Sequence, residues 1–303
     1  MEIINIENFK EDRFETAIAL GNFDGVHIGH QKLIKEMVEI SRKFGLKSSV
    51  LLFNNHTKTI LDGKGPKLIT SLKQKYDLIE NLGVDIVYTM SFNENIMKLS
   101  PEEFVKGILI EKLNCKAVSV GTDYTFGYKK SGNANLLEKL GNKFHYFVNI
   151  VSPMYVNNEI VSSTKIRELI VKGDIDEAKA LLGRDYSVRG KVVHGKKRGE
   201  KLGFPTANIE LLDDYIIPRN GVYATRTIVD NKEYLSATSI GYNPTFEGNE
   251  LKIESHIIDF NLNIYDKIVE LKFIRYLRDE YKFETIDLLK KQMHKDIMQV
   301  KAY

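Results

Sequence analysis

The sequence predicts an α/β domain built on a parallel sheet, followed by an antiparallel β-barrel that ends in a helix. Three observations predict it. As far as Gly183, short β-rich runs alternate with helical patterns, the signature of strands joined by crossover helices. From Tyr186 the chain turns into short alternating segments broken by Gly, Asn and Pro, as in SVRGKVVHG and LKIESHIIDFN, which suits a barrel or sandwich. From about Thr285, Ile286, Leu289, Met293 and Ile297 recur at three- and four-residue steps, the spacing of one helix face.

In order, residues 17–20 read as a strand that runs into a turn at 21–25 and a helix over 29–44. Residues 49–53, 85–88 and 117–120 are apolar runs short enough for buried strands. Ser71 with Gln74, and Ser100 with Pro101 and Glu103, are capping boxes that open two further helices. Residues 163–182 read as a helix pair closing the first domain. The expected domains are 1–183 and 184–303, and ligands are expected at the carboxyl ends of the parallel strands.

Composition narrows the function. A net charge of +3 over 44 basic and 41 acidic residues, with no basic excess in either half, argues against a dedicated nucleic-acid binder and for a phosphate-bearing small molecule. The single cysteine, Cys115, forbids an internal disulfide and a cysteine-based zinc site. The first residues lack a basic-then-apolar signal pattern, and no apolar run approaches the ~20 residues of a membrane span. The expectation is a cytoplasmic protein with no membrane or nucleic-acid partner, acting as a monomer or weak homo-oligomer.

The segment GNFDGVHIGHQKL places His27 and His30 at the mouth of a helix that follows a strand, where backbone N–H groups and the dipole favour an anion. Gly21 and Gly25 allow close backbone approach. The alternative is a glycine-rich turn with two surface histidines. In VSSTKIRELI, Ser162 or Ser163 caps a helix whose first turn holds Lys165 and Arg167. Cations are unfavourable there unless a phosphate occupies the helix end; the alternative is a solvated basic turn.

Together, G-x-F-D-G-x-H-x-G-H and the later S-S-T-x-I-R resemble the adenylyltransferase domain of bacterial bifunctional riboflavin kinase/FAD synthetases. GTDYTFGYKKSGN looks like a third motif of that family. The resemblance implies an HxGH nucleotidyltransferase domain of Rossmann-like type, in which FMN is adenylylated to FAD. It places Gly21, Phe23, Asp24, Gly25, Ser162, Ser163 and Thr164 at the nucleotide, and Asp123, Phe126 and Gly127 beside flavin and nucleotide. His27 and His30 would contact the ATP phosphates, while Lys165 and Arg167 hold the triphosphate and the departing pyrophosphate. The FMN phosphate attacks directly, so no enzyme nucleophile is required. Where many relatives read F-x-P-H-P, this chain has Phe53-Asn54-Asn55-His56-Thr57, keeping the histidine without the prolines.

In the second half, VVHGKKRGEKLGFPTANI is a glycine-rich basic loop suited either to phosphate or, as an exposed hairpin, to RNA. Thr206 and Asn208 supply hard oxygens of the kind Mg²⁺ takes beside ATP. Glu254, mid-strand opposite Ile253 and Ile257, is either a general base or one more solvent-facing charge. The set resembles the riboflavin kinase barrel, which shares G-x-P-T-A-N and a strand glutamate. That resemblance implies Mg–ATP on Thr206 and Asn208, phosphates near Gly195, Lys201 and Gly203, and Glu254 activating the riboflavin 5′-hydroxyl. SIGYNPTF and FIRYLRDEYKFET resemble segments that line the flavin. Lys197 and Glu200 depart from the common loop, G-R-G-R-x-L-G. Riboflavin, FMN and FAD are then substrates and products, with ATP and Mg²⁺. The competing readings are a class I aminoacyl-tRNA synthetase, an adenylyltransferase whose barrel only binds, and a protein that has lost one activity.

Overall fold

The computed structural model describes all residues except 9–13, 55–64, 196–198, 200–201 and 246–247; the side chains of 243–250 are likewise not described. His56, Lys196, Lys197, Arg198, Glu200 and Lys201 therefore lie outside the described residues. The chain forms two compact units, one of Met1–Pro66 with Ser71–Ser162 and one of Lys67–Thr70 with Ser163–Tyr303.

The first unit holds a six-stranded parallel sheet made of β1 (Glu2–Asn5), β2 (Thr16–Leu20), β3 (Lys47–Phe53), β4 (Ile86–Met90), β5 (Cys115–Gly121) and a last strand, Phe147–Val151. Its order runs β1-β4-β3-β2-β5 and then Phe147–Val151. From β2 the chain steps outward through β3 and β4 on one side, whereas β5 lies on the other. The strand order therefore reverses between β2 and β5, where α/β sheets open a crevice at the strands' carboxyl ends. Every residue of β2 is buried, and its alternation splits the core. Ala17 and Ala19 pack with Leu33, Ile34, Met37 and Val38 of the helix Ile28–Phe44. Ile18 and Leu20 face the other layer, with Leu109, Leu137 and Phe126. Small alanines on one face let that helix approach the sheet closely.

Both capping boxes form, Ser71 with Gln74 and Ser100 with Glu103, the latter with Pro101 in the first turn. The two edge strands, β1 and Phe147–Val151, were not expected, because neither is buried enough to show an unbroken apolar run.

In the second unit, six strands close an antiparallel barrel. Two short ladders precede the barrel in the first unit's loops, β6 (Thr125–Phe126) with β7 (Gly132–Asn133) and β9 (Tyr155–Val156) with β10 (Glu159–Ile160); β8 is the strand Phe147–Val151. The barrel strands are β11 (Tyr186–Val193), β12 (Ala207–Leu211), β13 (Gly221–Val229), β14 (Lys232–Thr245), β15 (Gly248–Ile257) and β16 (Ile268–Arg278), in the order β11-β12-β15-β14-β13-β16. Asp230 and Asn231, with φ of 48° and 64°, make the tight β13–β14 turn, the conformation short polar side chains tolerate best.

The barrel interior is not purely apolar. Thr225, Thr227, Ser236, Thr238 and Ser255 are fully buried and satisfy one another. Thr225 Oγ1 lies 2.7 Å from Thr238 Oγ1 and 2.9 Å from Ser236 Oγ, Thr227 Oγ1 lies 2.7 Å from Ser236 Oγ, and Thr238 donates to Ser255 Oγ at 2.9 Å. Buried hydroxyls are tolerated because each finds such a partner. The final helix, Ile286–Val300, seats Val300 on Ala224, Ile258 and Ile274. Leu289, Met293 and Ile297 are half-buried, but Ile286 is 61% exposed: it stands in the first turn, ahead of the seat.

The helices Ser163–Lys172 and Ile175–Leu182, expected to close the first domain, group with the barrel. Ile175, Ala178, Leu181 and Leu182 are buried, and Asp176 pairs with Arg275 of β16 at 3.0 Å.

Candidate functional site

The first cluster lies where β2 ends. Phe23 and Val26 both take left-handed backbone angles, φ 47° and 39°, around Gly25 at 84°. A β-branched residue in that region is strained, and such strain is characteristic of functional turns. A Cβ on Gly21 would stand 3.1 Å from the buried Phe23 ring, so glycine gives that ring its place. His27 is the N-cap of the helix, its Nδ1 accepting from the His30 N–H at 3.3 Å. An accepting Nδ1 puts the ring proton of neutral His27 on Nε2. The two imidazoles stack at 3.6 Å between centroids, and Phe23 meets His30 edge-on at 5.2 Å. Asp24 and His27 are buried, so the turn is a packed element of the fold rather than a loose glycine loop.

The loop after β5 leaves the same end of the sheet, one strand away. Tyr124 stacks on Phe126, which is buried against Phe104. Burial drives the Tyr124 phenol well above its ordinary range, so it stays neutral. Gly132 and Gly127 are tightly held: a Cβ on Gly132 would sit 2.8 Å from the Phe126 ring, and one on Gly127 would sit 2.7 Å from Pro101. Asp123 is exposed at the loop's start, close over Gly121.

Ser162 is the last residue of the first unit; Ser163, Thr164, Lys165 and Arg167 open the helix Ser163–Lys172 of the second. Its first turn holds no acid. Arg167 Nε donates to the Lys67 carbonyl at 2.8 Å, a structural bond that sequence reasoning did not foresee.

The second cluster sits on the outer face of the barrel. In β15, Ile253, Ser255 and Ile257 are buried, leaving Lys252, Glu254 and His256 on the opposite face. Asn208 of β12 pairs directly with Glu254 on one side and with Val193 of β11 on the other. Register thus brings the expected amide and the expected base side by side. Gly195 completes the arrangement: a Cβ there would fall 2.1 Å from Asn208 Nδ2. Gly199 lies likewise under Thr206, where a Cβ would come 3.3 Å from Oγ1, and Gly203 uses φ 87° to turn the chain. Lys252 forms an ion pair with Glu254 on that face.

Among the described residues no group of three or more His, Cys, Asp or Glu could hold a metal. The neutral oxygens of Thr206 and Asn208 are hard donors of the kind Mg²⁺ takes beside phosphate.

The end of FIRYLRDEYKFET, a segment whose resemblance implies a flavin lining, borders an open cleft of about 440 Å³ in this unit, lined by Tyr281, Lys282, Phe283, Glu284, Leu288 and Lys291 among others. The Arg278 guanidinium lies over the Tyr281 ring and forms a two-pronged pair with the buried Asp296.

Two family models match in tandem, FAD synthetase over residues 9–165 and riboflavin kinase over residues 182–303. The chain belongs to the bifunctional riboflavin kinase/FMN adenylyltransferase family. Members of that family from Buchnera aphidicola of Schizaphis graminum and from Listeria monocytogenes are 38% and 40% identical to it, covering 99% and 94% of this chain and 98% and 91% of their own. The Bacillus subtilis member is 37% identical over 97% of this chain and 94% of its own. A solved Streptococcus pneumoniae structure, described as a macrolide-efflux protein, covers all of both chains at 33% identity with a TM-score of 0.92. Among the described residues of the present chain, no helix is long and apolar enough to cross a membrane.

Proposed function

We propose a division of labour for the two activities of the family, with riboflavin phosphorylated on the barrel and FMN adenylylated on the parallel-sheet unit. The enzyme makes FMN from riboflavin and ATP, then FAD from FMN and a second ATP, releasing pyrophosphate.

On the barrel, Thr206 and Asn208 hold Mg–ATP, with Gly195 and Gly203 letting the chain pass close to the phosphates. Mg²⁺, when bound, offsets charge on the phosphate oxygens. Glu254 accepts the proton of the riboflavin 5′-hydroxyl as its oxygen bonds to the γ-phosphorus, and the bond to the bridging oxygen breaks to release ADP. The aromatic cleft at Tyr281 and Phe283 suits a flat, largely apolar ring system such as the flavin. The observation that carries this half is the Asn208–Glu254 pairing over Gly195.

On the parallel-sheet unit, an FMN phosphate oxygen bonds to the α-phosphorus of ATP, and the bond to the β-phosphate oxygen breaks. The protein's work there is positioning and charge. His27 and His30 contact the phosphate oxygens; Gly21, Phe23, Asp24 and Gly25 shape the turn, while Asp123 and Phe126 flank the flavin. Ser162 ends this unit; Ser163, Thr164, Lys165 and Arg167, which the resemblance assigns to the triphosphate, open the first helix of the other unit, where Arg167 commits Nε to the Lys67 carbonyl. The cytoplasm, where ATP abounds and a lone thiol stays reduced, is the compartment this assumes.

Incubating the full chain with riboflavin, ATP and Mg²⁺ and separating the flavins by chromatography tests the reading. FMN should rise first and FAD follow; FMN alone, or neither, overturns it.

A further inference from the structure

We propose that His256 is a positioning residue of the kinase site, fixing the Pro205–Asn208 segment to the strand that carries Glu254. The proposal rests on the assignment of Thr206, Asn208 and Glu254 to that site.

The ladder between β12 and β15 is only two pairs long, Ala207 with Ser255 and Asn208 with Glu254. Neighbouring ladders run from four pairs, between β11 and β12, to ten, between β14 and β15. The two strands bearing the expected magnesium ligands and the base are therefore the least tied together by backbone. One residue beyond the ladder, His256 Nδ1 lies 2.8 Å from the Pro205 carbonyl. A carbonyl only accepts, so Nδ1 carries the proton and donates. This bond supplies a third rung, made by a side chain.

The histidine is oriented from behind. Phe204, 5% exposed, meets His256 edge-on at 5.7 Å and His294 of the C-terminal helix at 5.0 Å. The Phe204 N–H is in turn anchored on the Gly199 carbonyl at 2.9 Å. His256 and Gly199 thus anchor the chain at Phe204 and Pro205, immediately before Thr206, while His256 itself stands two residues from Glu254 on the same face. Because the donor is Nδ1, an asparagine at 256, whose Nδ2 occupies a similar position, can replace it; a glutamine, one carbon longer, cannot do so in the same place.

The test compares His256→Ala, His256→Asn and His256→Gln in the full chain, with riboflavin phosphorylation and FMN adenylylation measured separately. His256→Ala and His256→Gln should raise KM for Mg–ATP in the kinase reaction about tenfold, the scale of one lost hydrogen bond. KM for ATP in adenylylation should not move, and His256→Asn should recover most of the loss. Unchanged kinase KM in His256→Ala overturns the proposal, as does His256→Asn being as impaired as His256→Ala. Glu254→Gln is assayed alongside: if it keeps full kinase turnover, the site assignment itself fails, whatever the histidine variants do.

Discussion

Gly195→Ala is a sharp probe of the kinase site because it adds one methyl group and removes nothing. Gly195 does not use a left-handed backbone angle, so alanine is allowed there on conformational grounds. The new Cβ would stand 2.1 Å from Asn208 Nδ2, 2.6 Å from Cγ and 2.8 Å from Oδ1. Nonbonded carbon and nitrogen need roughly 3.5 Å, so the amide must give way by more than 1 Å. Asn208 is short and lies in a strand, so the movement takes its amide out of the place facing Glu254. Misplacement by about 1 Å typically costs on the order of 10²-fold in rate. Steady-state phosphorylation of riboflavin, followed by flavin chromatography, should therefore show kcat/KM lowered by about 10²-fold. Conversion of supplied FMN to FAD should be unaltered, and far-UV circular dichroism should match the parent. Wild-type kinase activity in a folded Gly195→Ala protein would mean that the position of Asn208 is immaterial to the reaction.

Three further outcomes follow from the same structure. Asp296→Ala leaves the Arg278 guanidinium without its buried partner and should cost about 3–5 kcal/mol in the barrel's unfolding transition, read by denaturant titration. It should also weaken riboflavin binding through the Tyr281–Phe283 cleft. Cys115 is fully buried, and burial pushes its thiol up to about 12 from 9.0, so native protein at pH 8 should react with a thiol reagent only as it unfolds. Since the folded state keeps a proton that the unfolded state gives up, this thiol's contribution to stability is complete below about pH 9 and falls away as pH rises towards 12. His27→Ala removes the helix cap and should destabilise the parallel-sheet unit by about 1 kcal/mol in thermal unfolding, whereas His27→Asn keeps a capping acceptor and most of that stability.

Much of this was legible in the sequence. Fully buried parallel strands such as β2 and β4 read as unbroken apolar runs, and Ser71 and Ser100 announced their helices through a capping box, because both signals are local. Register was partly legible: alternation put Glu254 opposite Ile253 and Ile257, but its pairing with Asn208 spans a long separation in sequence that no local pattern records. The barrel's buried hydroxyls were illegible for a different reason. Thr225, Thr227, Ser236, Thr238 and Ser255 fall at the inward positions of their strands, where a polar residue is read as outward-facing. Only their mutual hydrogen bonds make the burial tolerable. The strained angles at Phe23 and Val26 and the Gly195–Asn208 contact likewise belong to tertiary structure. The helix pair Ser163–Leu182 carries ordinary amphipathic spacing, which shows that it packs but not on which unit.

Separate sites for the two reactions are tested most directly by assaying His30→Ala and Glu254→Gln in parallel, each given riboflavin or FMN with ATP and Mg²⁺. The account predicts that His30→Ala turns riboflavin into FMN and stops there, while Glu254→Gln makes no FMN from riboflavin yet converts supplied FMN to FAD. A folded variant in which either single substitution abolishes both reactions would contradict it.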